Sequence, residues 1–230
     1  LTAAKNNFRA YHFSDLLPVC DSDYHTEIYY DNYDKQGNLL CSHSEKGNYR
    51  TIVYGYNNNS IIAIVENARN NQVYYSNFED DATATNCVKN PRRQKVKQGG
   101  LEIKVAQLKP GKYRISYLCS SDNGQRWIRK NQPLELSGLS SEVVSNVNTF
   151  SDIPDLSELI QSYPTHITVG ETGELIDELQ IIPEESLIVT ANYIPGVGKI
   201  SETDHNGLTY YYDYDELGRL IRILDGNEVI

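Results

Sequence analysis

The chain has 230 residues and a formal net charge of −10, and 18 Tyr stand against 4 Phe and 1 Trp. That length suits one large β domain, or one domain with small satellites, and buries a core without needing crosslinks. The charge repels a phosphate backbone, so nucleic acid is disfavoured as a partner, and no apolar stretch approaches the roughly 20 residues of a membrane helix.

Tyr combines an apolar ring with a wettable hydroxyl and suits a half-buried pleated surface. Together with 15 Gly and many Asn, it points to β structure with many turns. The first residue is Leu, Met is absent, and no signal-peptide pattern is present. The chain is therefore expected to be a processed form or a piece of a longer protein. Cys20, Cys41, Cys87 and Cys119 contain no CxxC pair, which argues against a zinc ribbon or a thioredoxin-type site. Disulfides and free structural thiols both stay open. His12, His25, His43, His166 and His205 show no metal-type spacing.

Residues 1–26 carry little pattern. The ordered signal begins with a Tyr-rich strand over 27–33 (EIYYDNY), a turn over 34–38 and a returning strand over 39–43. A turn over 45–48 leads to a strand over 49–56, and 57–60 turns again. Residues 61–66 (IIAIVE) are apolar on both faces and predict a fully buried strand. From Val73 the candidate strands are longer and further apart: 73–78, 101–108, 112–119, 126–130, 166–169, 174–182 and 186–193. Such spacing argues for an antiparallel sandwich. The basic run 89–97 (KNPRRQKVK) is expected to be a solvated loop. A single helix is predicted over 155–162, with Pro154 in its first turn and Pro164 closing it. The last segment returns to the first texture. Asn206-Gly207 is a strong hairpin signal, followed by strands over 208–214 and 219–224.

The two ends share the pattern Tyr-Asp-x-x-Gly-[Asn/Arg]-Leu, carried by Tyr33, Asp34, Gly37 and Leu39 and again by Tyr214, Asp215, Gly218, Arg219 and Leu220. The Tyr ends a strand with a packing ring, and the Asp accepts hydrogen bonds from turn amides. The Gly supplies a left-handed position, and the Leu returns to the apolar face. The repeated Asp is read as a turn device, not a catalyst. An isolated hairpin is marginal in water, so these hairpins are expected to stack on one another or to pack against the central sandwich.

These residues resemble the Rhs, or YD-repeat, family. The stretch from Thr203 through Tyr212 and on to Leu220 looks like a full family repeat, and 33–40, 55–57 and 62–68 are similar to it. The resemblance implies a bacterial protein at the cell surface or secreted, with repeats that coil as β-sheet shells. In some members a galactose-binding-like jelly roll interrupts the repeats. Residues 76–79 resemble its opening strand, 108–117 its central hairpin and 176–179 its closing strand. The expected fold is therefore mainly β: an antiparallel jelly-roll-like β-sandwich flanked by YD-repeat β-hairpins. The expected segments are 1–72 with hairpins, 73–184 as the sandwich and 185–230 as the C-terminal hairpin.

The resemblance also implies a possible structural calcium where opening and closing strands meet, with Glu79 and Asp177 as ligands and Asp80 and Asp81 nearby. Trp127, between Arg126 and Arg129, either stacks on a sugar ring with Arg126 donating to hydroxyls, or packs in the sandwich core. Asp21, Asp23, Asp31 and Asp34 gather carboxylates near His25, yet nothing has nucleophile-elbow, zinc-ligand or phosphate-loop spacing. The expected function is non-catalytic: a structural or adhesive segment with another cell-surface protein or a glycan as partner. The alternative is a carbohydrate-binding module that recognises a glycan through the sandwich.

Overall fold

The computed structural model describes residues 27–87, 95–137 and 164–225, together with the backbone of two short paired strands, β1 (His12–Ser14) and β2 (Leu17–Val19). The protein is mainly β with antiparallel sheets, and a 3-10 turn at Asn70–Gln72 is the one helical element among the described residues. The helix expected over 155–162 lies outside them.

Four strands follow in hairpin order: β3 (Ile28–Tyr33), β4 (Leu39–Ser44), β5 (Tyr49–Gly55) and β6 (Ser60–Glu66). The middle contributes β7 (Tyr74–Ser76), β8 (Thr85–Asn86), β9 (Lys95–Gln98) and β10 (Leu101–Lys104). It continues with β11 (Gly111–Ser120), β12 (Ile128–Leu136), β13 (His166–Val169) and β14 (Leu175–Pro183). Then come β15 (Leu187–Ile194), β16 (Gly198–Thr203), β17 (Thr209–Tyr214) and β18 (Leu220–Asp225).

The hairpin strands of both ends form one eight-stranded sheet in the order β18-β17-β16-β15-β6-β5-β4-β3. Its seam is β6 against β15, with Leu187 opposite Glu66, Ile188 opposite Val65, Val189 opposite Ile64 and Thr190 opposite Ala63. These two strands have the most apolar sequences of the sheet and sit at its centre. Ile62, Ala63, Val65 and Ile188 bury one face there against Tyr75 and Ile182 from the middle of the chain. Each fully buried aliphatic side chain of this kind stabilises by about 1.5–3 kcal/mol.

One turn device recurs along this sheet. Asp34 accepts at Oδ1 from the amides of Gln36 (2.9 Å) and Asn38 (2.8 Å). Asp204 does the same for Asn206 and Leu208, and Asp215 for Leu217 and Arg219. In each case the first residue's N–H donates to the carbonyl of the fifth, and the glycine at the fourth position donates back to the first residue's carbonyl. Ser44 builds a looser copy with Gly47 and Asn48. The glycines hold φ of +89°, +84° and +73° in the three Asp turns, a region costly for a side chain with a Cβ.

The intervening strands form a second, sandwich-like layer. A six-stranded sheet runs β12-β11-β14-β9-β8, with β7 also paired to β14, and β10 pairs with β13 in a two-stranded sheet. The main core lies here. Ile103 and Val169 from the small sheet meet Ile115, Tyr117, Ile176, Leu179 and Ile181 from the large one. β14 is buried along nearly its whole length because the small sheet covers one of its faces and the eight-stranded sheet meets the other.

Several local expectations need correction. The strand expected over 126–130 begins at Ile128 and runs to Leu136, because Asp122 captures the amides of Gln125 and Arg126 in a turn. Pro133 is tolerated because β12 is a sheet edge. The strand expected over 101–108 stops at Lys104, after which Leu108 N–H turns back to Val105 O. Part of the basic run is strand β9, not loop: Val96 is buried, Lys95 Nζ donates to Glu79 O, and Lys97 pairs with Asp81. β6 is not buried throughout, since Ile61 is 37% exposed. Tyr33 (55% exposed) and Leu220 (49%) do not pack on an apolar face, because β3 and β18 are the outer strands. Cys41, Cys87 and Cys119 are buried free thiols, and Cys20 lies outside the described residues.

Candidate functional site

Trp127 is half-buried and packs against Cys87, Val96 and Leu175. Its Nε1 donates to Gly124 O at 3.1 Å, which closes the loop that Asp122 organises. Arg126 is exposed, and its backbone N–H is spent on Asp122. The indole is therefore engaged with its own loop and core.

Glu79 and Asp177 are brought within each other's field. Burial pushes the Glu79 carboxyl up to about 7, against the Lys95 amide that donates to its Oε1 at 3.0 Å, and the Asp177 and Asp80 charges add to the rise. Asp177 is 5% exposed and accepts from Glu178 N–H at 2.7 Å. Asp81 is engaged elsewhere: hydrogen bonds from Lys97 and Thr83 hold it down at about 2. Calcium takes six to eight oxygens. Among the described residues no group of three or more His, Cys, Asp or Glu side chains is arranged to hold a metal ion. A cation here would need oxygens other than His, Cys, Asp or Glu side chains beside the Glu79–Asp177 pair.

Glu79 also lines an open cleft of about 700 Å³ with Tyr56, Asn59, Asp80, Lys95 and Tyr193. Tyr56 and Tyr193 meet edge to face at 5.7 Å, and Tyr193 N–H donates to the Tyr56 hydroxyl at 2.9 Å. Asn57, one of three consecutive residues at positive φ, donates its N–H to Asp80. The cleft thus combines ring faces with carboxylates and amides.

A second cavity, of about 370 Å³, lies between the two large sheets. Its organising residue is Glu178, at φ +49° and 4% exposed. β14 bulges there: Glu178 and Leu179 together stand opposite Tyr117 of β11, between the pairs Leu118–Asp177 and Ser116–Gln180. A bulge re-aims a side chain, and here it turns Glu178 toward the eight-stranded sheet. Glu178 Oε2 pairs with Arg129 at 2.8 Å, and Oε1 accepts from Asn192 Nδ2 at 3.2 Å. Asn192 also bonds Ser201 and Asn77, so one polar chain ties β12, β14, β15 and β16 together. Beside it, Gln180 Oε1 and the Tyr75 hydroxyl are buried without a hydrogen bond of normal geometry. The Thr190 hydroxyl lies near the latter. The one sign of this site in the sequence is the polar set Asp177, Glu178 and Gln180 inside an otherwise aliphatic strand.

A scan against family models finds no match, and no curated protein matches the sequence.

Proposed function

We propose that the protein is a non-catalytic structural or adhesive segment of a bacterial surface or secreted Rhs-type protein, in which YD-type hairpins build a continuous sheet and a galactose-binding-like jelly roll is inserted between β6 and β15. The observation that carries this reading is the pair of open, apolar rims of the eight-stranded sheet. Ile28, Tyr29, Tyr30 and Tyr33 are exposed on β3, and Leu220, Ile221 and Ile223 on β18. Apolar edge strands invite further pairing, and finished sheets normally blunt them. A repeat sheet that continues into further hairpins, or that meets a partner strand, has a use for them. Appending a second copy of residues 198–225 after residue 230 is expected to raise the Tm and to slow hydrogen exchange at the β18 amides. An unchanged Tm with β18 amides still exchanging freely would sink the reading. A structural calcium at Glu79 and Asp177 belongs to it as well. Millimolar calcium is then expected to raise the Tm, and a calorimetric titration without heat and without a Tm change removes it.

The cleft with Tyr56, Tyr193, Glu79 and Asp80 favours a second reading, glycan recognition, with ring faces for stacking and carboxylates for hydroxyls. In that case Tyr193→Ala abolishes binding on a glycan array and Trp127→Phe leaves it intact; an array without hits removes the idea.

A further inference from the structure

We propose that the cavity between the two large sheets is a binding site for a small, neutral, polyhydroxylated molecule of monosaccharide size, whose hydroxyls complete the hydrogen bonds of Gln180 and Tyr75. This site is separate from the Tyr56–Tyr193 cleft and does not depend on the reading given there.

Three observations carry it. The first is the pair of orphaned polar atoms. Gln180 and Tyr75 are each 7% exposed and both line the cavity; Gln180 Oε1 has no hydrogen bond among the described residues, and the Tyr75 hydroxyl, with only Thr190 near it, has none of normal geometry. A buried polar atom without a partner is costly, and native structures keep few of them. The amide oxygen of Gln180 only accepts, so its partner must donate. Burial, with the Glu178 and Asp177 charges beside it, keeps the Tyr75 phenol protonated, so it has a proton to give. Hydroxyl groups both donate and accept, and a polyol meets both needs at once.

The second is charge. Arg129 and Glu178 face each other at 2.8 Å and cancel. Arg114 and Asp204 also line the cavity, one charge of each sign. No excess of either sign remains to repay the desolvation of a phosphate or a carboxylate, so a neutral ligand is favoured.

The third is shape. The volume of about 370 Å³ lies at the small end of ligand sites, roughly 300–1,000 Å³. Ile188 gives one apolar wall for a sugar's C–H face, while Asn131 and Thr203 add polar groups. The rim is the repeat turn 204–207, held rigid by the Asp204 hydrogen bonds to Asn206 and Leu208. The turn device that builds the sheet therefore also frames the site.

The test is saturation-transfer NMR and calorimetry on the full chain with glucose, galactose, mannose, N-acetylglucosamine and myo-inositol, with glycerol and inorganic phosphate as controls. At least one of the five is expected to bind and phosphate is not. Gln180→Leu, which removes the orphaned acceptor with little change of shape, is expected to weaken that binding roughly tenfold or more without lowering the Tm. Should Gln180→Leu fail to fold by circular dichroism, Tyr75→Phe serves in its place with the same expectation. Absence of binding by all five overturns the proposal and leaves a hydrated gap between sheets. Binding that survives Gln180→Leu and Tyr75→Phe but falls with Tyr193→Ala belongs to the cleft and overturns it equally, as does phosphate binding in preference to the sugars.

Discussion

At the scale of single residues, two kinds of carboxylate set opposite limits on stability. Asp204 is lowered from 3.8 chiefly by the Leu208 amide, and Asp215 by the Arg219 amide and side chain. Asp34 is lowered too, although burial opposes it, because Asn38 donates from both backbone and side chain. A depressed carboxyl stabilises the fold above its unfolded value and loses that contribution as pH falls through the folded one. Glu79 runs the other way. Its folded value of about 7 exceeds the ordinary 4.5 of a glutamate, so its contribution is present below pH 4.5 and is lost as pH rises through about 7. Thermal melts are therefore expected to show a Tm that falls on both sides of mildly acidic pH. Glu79→Gln should flatten the upper limb between about pH 5 and 7, since the amide oxygen still accepts from Lys95. The joint change of Asp34, Asp204 and Asp215 to Asn should flatten the acid limb. Limbs that stay unchanged in these variants would show that other groups govern the profile.

At the scale of elements, β14 carries both the core and the polar tie. Leu179 and Ile181 are fully buried, so Leu179→Ala is expected to cost about 2–5 kcal/mol in urea unfolding. Glu178→Ala removes the partner of Arg129 and leaves a half-buried guanidinium, a loss of about 3 kcal/mol. Glu178→Gly loses the same contacts but relieves the positive φ, so it should be less harmful than Glu178→Ala by about 1 kcal/mol. Equal losses would mean that the bulge stores no backbone strain. The hairpins were legible in the sequence because their instructions are local. Asp34 with Gly37, and Asp215 with Gly218, each act within a single five-residue turn, and the pattern names that turn. The bulge was not legible, since Glu178 takes its conformation from β11 on one side and Asn192 on the other. Trp127 drew attention for its chemistry as a residue type, but only the loop closed by Asp122 and Gly124 shows that its N–H and ring are engaged. The Gln180–Tyr75 cavity depends on two sheets meeting, and its one trace in the sequence is the polar set Asp177, Glu178 and Gln180 within the otherwise aliphatic β14.

At the scale of the whole molecule, the β6–β15 seam joins the two ends of the chain. Local reading left the two ends either stacked on one another or packed against the middle. The structure sets them side by side in a single sheet and lays part of that sheet on β14 and Tyr75. The pairing joins residues more than a hundred positions apart, which is why periodicity and turn chemistry could not supply it. The exposed rims at β3 and β18, the cavity under the 204–207 turn and the cleft beside Tyr193 all follow from that arrangement. Crosslinking tests it directly. In a chain with Cys20→Ser, Ile64→Cys and Val189→Cys face each other in register, whereas Ile64→Cys with Ile188→Cys is offset by one residue and points to opposite faces. Mild oxidation followed by peptide mass spectrometry is expected to find the 64–189 disulfide and little of the 64–188 one. No crosslink in the first pair, or equal crosslinking in both, would contradict the single sheet.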